Sequence, residues 1–226
     1  MKALKTSLLV GISAFFRVLF AQELVGSVNF KACLAFSLTV LAVYVLDRSF
    51  DFKSNGEFIF AVLFTLMASI IYPYTLIVPY LALFVGFMYS KGINGFRLKM
   101  GYGVKNIVTS LTWGVVIAFF SKINIAIILF FTLKSFIITV LNDIKDLEDD
   151  IKSGIRTLPA ILKDKTLHFL LLVNVIVHIV ALYLLPYHCY LTSLLISIYT
   201  IKKIKPKISQ IEFLIQSILI TFDLDR

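Results

Sequence analysis

The chain has 226 residues, of which 59% are apolar and 15% charged, and a formal net charge of +9. A soluble domain carries roughly a quarter charged residues and just under half apolar ones, so this composition excludes a soluble globular protein and, with it, a reading of the charge as nucleic-acid binding. The apolar surplus runs the whole length, which excludes a signal peptide or single anchor, and strand-like alternation is absent, which excludes a membrane barrel.

Uncharged apolar runs bounded by charge, Pro or Gly mark nine helical spans, at about 5–25, 29–46, 57–72, 74–90, 104–121, 123–141, 166–185, 187–202 and 208–222. The stretch from Phe58 to Ser90 holds no charge and is too long for one helix, and Pro73 near its middle divides it. The run from Lys105 to Leu141 divides at Ser121-Lys122. The expected fold is all-α: one polytopic transmembrane helix bundle over residues 1–226, in which helices satisfy every backbone polar group internally. Cys33 and Cys189 lack paired or metal-like spacing and read as small buried residues. His168, His178 and His188 form no ligand-like constellation and read as structural.

Nine spans with the N-terminus inside put 17 of the 22 Lys and Arg residues on the cytoplasmic side. Lys31, Lys122 and Arg226 fall on the other side, and Arg17 and Lys134 lie within apolar runs. This asymmetry follows the positive-inside bias and predicts a cytoplasmic N-terminus. Lys202 to Lys207, "KKIKPK", reads as an anchor at anionic headgroups. Lys134 is expected to face an internal cavity and balance nearby acids, or else to snorkel to an interface.

Two acidic clusters close even-numbered spans, so both fall at the cytoplasmic interface. "VYVLDRSFD" sets Asp47 and Asp51 at i and i+4, on one helical face. "LNDIKDLEDDIKSGIRTLP" sets Asp143, Asp146 and Asp150 at i, i+3 and i+7, again on one face of a continuous helix, while Glu148 and Asp149 read as solvated. Like charges stacked at a membrane boundary repel and call for a cation. Mg²⁺ suits them, because it takes one or two carboxylates together with water and phosphate oxygens. Two such clusters can hold a diphosphate through bridging metal and stabilise it as a leaving group.

The second cluster and its continuation resemble the aspartate-rich motif of the UbiA superfamily of intramembrane prenyltransferases. Asp143, Asp146, Asp150, Lys152, Gly154, Arg156, Thr157, Leu158 and Pro159 carry the likeness. Asp47 to Asp51, "DRSFD", resembles the end of the family's first aspartate run, with Val43-Tyr44 standing where Asn-Asp usually opens it. "YSKGINGFRLKMGYGVKNIVTSLTW" is similar to the loop and following helix of one branch of the family, through Tyr89, Lys99, Lys105, Asn106 and Trp113. The N-terminal helix departs from the family in lacking an Arg-Pro-type opening.

The resemblance implies a Mg²⁺-dependent enzyme that moves an isoprenyl group from an allylic diphosphate to an aromatic or lipid acceptor, in quinone or lipid biosynthesis. It implies Asp47, Asp51, Asp143, Asp146 and Asp150 as metal-site carboxylates. It implies Tyr89, Lys91, Lys99, Lys105, Asn106 and Arg156 as diphosphate-side residues. The expected setting is the cell membrane, multi-pass, with the active site facing the cytoplasm and no nucleic-acid partner. An alternative on the same fold is transfer of a phosphosugar to polyprenyl phosphate. A transporter would place its acids at mid-membrane depth rather than at helix ends. A phospholipid-headgroup transferase would want Gly and Ala after the aspartates, and both are missing.

Overall fold

The computed structural model describes residues 2–51, 55–94, 97–98, 103–152, 154–204 and 206–224. Lys99 therefore lies outside the described residues, and of Asp51 only the backbone is described. Among those residues the chain is helical: α1 (Lys2–Glu23), α2 (Phe30–Asp51), α3 (Asn55–Ile71), α4 (Ile77–Ser90), α5 (Val104–Phe120), α6 (Ile125–Lys145), α7 (Leu147–Lys152), α8 (Leu158–Leu162), α9 (Thr166–Leu184), α10 (Tyr187–Lys203) and α11 (Pro206–Leu224). Each of the nine apolar runs coincides with one of the long helices, and α7 and α8 are two short additions after the second acidic cluster.

Helix boundaries follow local chemistry. Pro73, with no N–H to give, ends the helical run after Ile71 and starts a single 3₁₀ turn before α4. Asn124 caps α6, its side chain accepting from the Ala126 N–H at 2.8 Å. By length and composition Phe30–Phe50, Ile125–Lys145 and Leu158–Leu184 can cross a membrane, and α3, α4, α5 and part of α11 supply shorter apolar helices. Large apolar side chains face outward along these helices, such as Ile70 at 75% and Leu182 at 63% exposure. Water would not tolerate so many, and lipid does: this is the surface of an integral membrane protein.

The chain divides into two compact units, residues 1–98 with 119–122, and residues 99–118 with 123–226. In the first, α2 is the central helix, packed against α1, α3 and α4. Gly11 lets α1 come close to α2, since a Cβ there would sit 2.6 Å from Leu41 Cγ, and Ser37 Oγ donates to the Gly11 carbonyl at 2.8 Å. Gln22 ties the α1–α2 connection together. Its Oε1 accepts from the Asn29 N–H at 2.7 Å, and its Nε2 donates to the Phe120 carbonyl at 2.7 Å. Below this, Val45, Leu46 and Ala61 form a buried core flanked by Phe50, Phe64, Leu83 and Phe87. In the second unit, α6 packs against α9, α11, α8 and α7, and α10 packs against α9 and α11. Phe131 and Phe213 stack at 5.4 Å between α6 and α11. Cys33 and Cys189 are both buried thiols outside any disulfide, as their spacing suggested.

Candidate diphosphate and metal site

The second acidic cluster is assembled by the end of α6, α7, and the starts of α5 and α8. Helix α6 stops at Lys145. Asp146 still donates its N–H to the Asn142 carbonyl at 3.1 Å, but its φ of −97° and ψ of 11° take the chain out of the helix. Helix α7 then starts, and the Asp150 N–H returns to the Asp146 carbonyl at 2.9 Å. The single continuous face expected for the three aspartates is therefore broken at its middle member. Like charges one and two turns apart repel on a helix, so the aspartates that stay together need a cation between them. Asp146 is exposed, whereas Asp143 and Asp150 are buried.

Lys105, in the first turn of α5, joins the two buried aspartates. Its Nζ lies 2.7 Å from Asp143 Oδ1 and 3.0 Å from Asp150 Oδ2. Asn106, itself fully buried, donates from Nδ2 to the other oxygen of Asp143 at 2.7 Å. Its Oδ1 accepts from the Leu158 N–H at 3.4 Å, so the same amide holds the Thr157-Leu158-Pro159 segment. Gly103 completes the cradle: at φ +64° it donates its N–H to the Arg156 carbonyl at 3.1 Å, a backbone conformation that glycine adopts without penalty. Thr157 is buried, and among the described residues its hydroxyl has no hydrogen-bond partner. Arg156 is exposed.

The first cluster belongs to the other unit. Asp47 accepts from Ser90 Oγ at 2.5 Å. One turn earlier Val43 packs on Gly86, where a Cβ would come within 2.9 Å of Val43 Cγ1. The Val43–Gly86 and Asp47–Ser90 contacts are successive turns of the α2–α4 interface. An apolar residue at position 43 thus serves helix packing. Lys91 is exposed and lies 5.7 Å from the Phe50 ring centroid and 5.9 Å from that of Phe87, beside the first motif. Tyr89 is half-buried.

Lys134 faces the interior, where it meets a glutamate of the last apolar run. Its Nζ meets Glu212 Oε1 of α11 at 2.6 Å and donates to Ser197 Oγ of α10 at 2.5 Å. Glu212 was overlooked in the sequence. Its signal was a lone carboxylate inside the last apolar run, a position that calls for a cationic partner.

Among the described residues, no three of His, Cys, Asp and Glu converge as a ready metal cage. The donor set nonetheless fits Mg²⁺, which needs only one or two carboxylates when water and phosphate oxygens complete its shell. Asp143 and Asp150 already share one cation, the Lys105 ammonium, and the Thr157 hydroxyl, unpartnered among the described residues, opens the segment that Asn106 holds.

No family model and no curated protein matches the sequence. Among solved structures, the chain is similar to a UbiA homolog from Archaeoglobus fulgidus bound to Cd²⁺, with a TM-score of 0.64 over 96% of this chain and 94% of that one. The fold is that of a UbiA homolog. Sequence identity is 18%, so the likeness is one of architecture. It spans nearly the whole of both chains, which places all nine long helices within the UbiA fold rather than a shared fragment of it.

Proposed function

We propose that the chain is a UbiA-superfamily intramembrane prenyltransferase, dependent on Mg²⁺, that moves an isoprenyl group from an allylic diphosphate to an aromatic or lipid acceptor. The observation that carries this reading is the convergence of Asp143 and Asp150 on Lys105, with Asn106 on the second oxygen of Asp143. Buried carboxylates held by hydrogen bonds at a helix end are suited to a cation that is shared with phosphate oxygens. The fold likeness, and the divalent cation bound by the Archaeoglobus protein, support the same reading.

In this proposal Asp143, Asp146 and Asp150, with Asp47 and Asp51 of the first motif, supply the metal carboxylates. When bound, Mg²⁺ neutralises charge on the departing diphosphate. Asn106 orients Asp143 and fixes the Thr157-Leu158-Pro159 segment beside it. Lys105, Lys91, Lys99 and Arg156 supply positive charge for the diphosphate, with Tyr89 near the first motif. The apolar surroundings exclude water from the allylic cation until the acceptor attacks. The N-terminus and the site face the cytoplasm of a cell-membrane protein with nine spans.

The test is Mg²⁺-dependent transfer from a radiolabelled isoprenyl diphosphate by purified protein in lipid. Asp143→Ala should abolish it. Full activity in that variant would overturn the assignment of the second motif. Consumption of a phosphosugar diphosphate in place of the isoprenyl one would redirect the reading to polyprenyl phosphate as the acceptor.

A further inference from the structure

Lys105 has two tasks that conflict. As a diphosphate-side residue it should point its charge at phosphate. In the structure its ammonium instead sits between Asp143 and Asp150, 2.7 and 3.0 Å from one oxygen of each. Those are the carboxylates proposed for the metal, and they are nine-tenths buried or close to it. Asp143 is saturated from both sides, since its second oxygen accepts from Asn106. A divalent cation approaching these oxygens meets a positive charge already in hydrogen-bond contact with them. At such separations, away from bulk water, two cations repel strongly.

We infer that Lys105 is a tethered counter-ion that competes with the divalent cation and yields its place only when a diphosphate arrives. The inference rests on the metal-site reading above and adds an order to it. Without substrate, Lys105 holds Asp143 and Asp150 together and keeps two buried carboxylates from facing each other unpaired. When a diphosphate enters, it offers the ammonium new acceptor oxygens. The Lys side chain has four rotatable carbons and three donors, so it can move from carboxylate to phosphate without backbone change. The aspartate oxygens then become available to the metal, which the same diphosphate also ligates. Metal and diphosphate thus bind as a pair, each raising the affinity of the other. Linkage requires the two enhancements to be equal.

This arrangement differs from a static ion pair. A static pair would leave metal affinity indifferent to diphosphate at Lys105, and removing the ammonium would only weaken the site. An exchanging counter-ion makes the free protein a poor metal binder and makes its removal a gain for bare metal. It also keeps the site from being held by a metal with no substrate.

The test uses Mn²⁺ as the metal probe and inorganic pyrophosphate as the anion, with the full chain in lipid nanodiscs. Mn²⁺ binding is read by electron paramagnetic resonance and calorimetry, so turnover is not needed. In wild type, pyrophosphate should tighten Mn²⁺ by at least about tenfold, within the 5–150-fold range usual for coupled sites, and Mn²⁺ should tighten pyrophosphate equally. In Lys105→Met, Mn²⁺ alone should bind about tenfold tighter than in wild type, and the enhancement by pyrophosphate should shrink. Lys105→Arg keeps the charge and should keep the coupling. Equal Mn²⁺ affinity with and without pyrophosphate in wild type overturns the inference while leaving the metal reading intact. So does weaker Mn²⁺ binding in a Lys105→Met protein that melts as a folded bundle. No Mn²⁺ binding to wild type under either condition overturns the metal reading, and the inference with it.

Discussion

Lys134 and Glu212, 78 residues apart, meet at 2.6 Å between α6 and α11, with side chains only 2% and 0% exposed. Gln216, one turn along α11, adds a hydrogen bond to the same carboxylate oxygen at 2.9 Å. The pair joins two helices across the interior of the second unit. Glu212→Gln leaves a buried ammonium without its counter-charge, and it should destabilise the protein by about 3–5 kcal/mol. Replacing both partners, Lys134→Met with Glu212→Leu, should recover most of that loss, because two apolar side chains need no partner. Thermal melts in one detergent measure both. Equal melting of Glu212→Gln and wild type would show that the pair contributes nothing.

Asn106 bridges Asp143 and the Leu158 N–H. Asn106→Leu should leave one oxygen of Asp143 without its amide donor and release the segment after Arg156, at a cost of about 1–3 kcal/mol. Limited proteolysis with trypsin should cut faster at Arg156 in the variant than in wild type. Asn106→Asp adds a negative charge beside Asp143 and should reduce prenyl transfer by about a hundredfold, a loss of roughly 2.7 kcal/mol in the barrier.

Gly86 and Val43 set the spacing of α2 and α4. Gly86→Leu inserts volume where a bare Cβ already crowds Val43, and overpacking of this kind costs about 1–3 kcal/mol. Val43→Ala should restore part of it in the double variant. A cycle of four melts isolates the coupling, and strict additivity would place the crowding elsewhere.

On the proposed function, metal removal should abolish transfer without unfolding the protein, because the described site is held by Lys105 and Asn106 rather than by a metal. Excess chelator should abolish transfer, Mg²⁺ should restore it, and the far-ultraviolet circular dichroism should not change. Transfer that persists in chelator would remove Mg²⁺ from the proposal.

Much of the helical layout was legible because apolar run length and Pro placement are local signals. Pro73 divided α3 from α4 where expected, and Asn124 opened α6 just beyond Ser121-Lys122. The site was legible only as a roster. Sequence spacing put Asp143, Asp146 and Asp150 on one face by assuming an unbroken helix, and the turn at Asp146 defeated that assumption. The same spacing had no means of pairing Lys134 with Glu212, a long-range contact between different helices. Nor could it show that Val43, absent as a ligand, serves as a packing surface for Gly86.

The Gln22 amide reaches a carbonyl made 98 residues later, at Phe120. During synthesis at roughly 5–20 residues per second, that acceptor appears about 5–20 s after Gln22 itself. The α1–α2 hairpin can close on its own through the Asn29 N–H, but its corner retains an open amide for that interval. Completion of this corner is therefore a clocked event: the bond waits for the end of α5 to emerge. A nascent chain stalled before residue 120 should keep the corner exposed to whatever polar partner the insertion machinery offers.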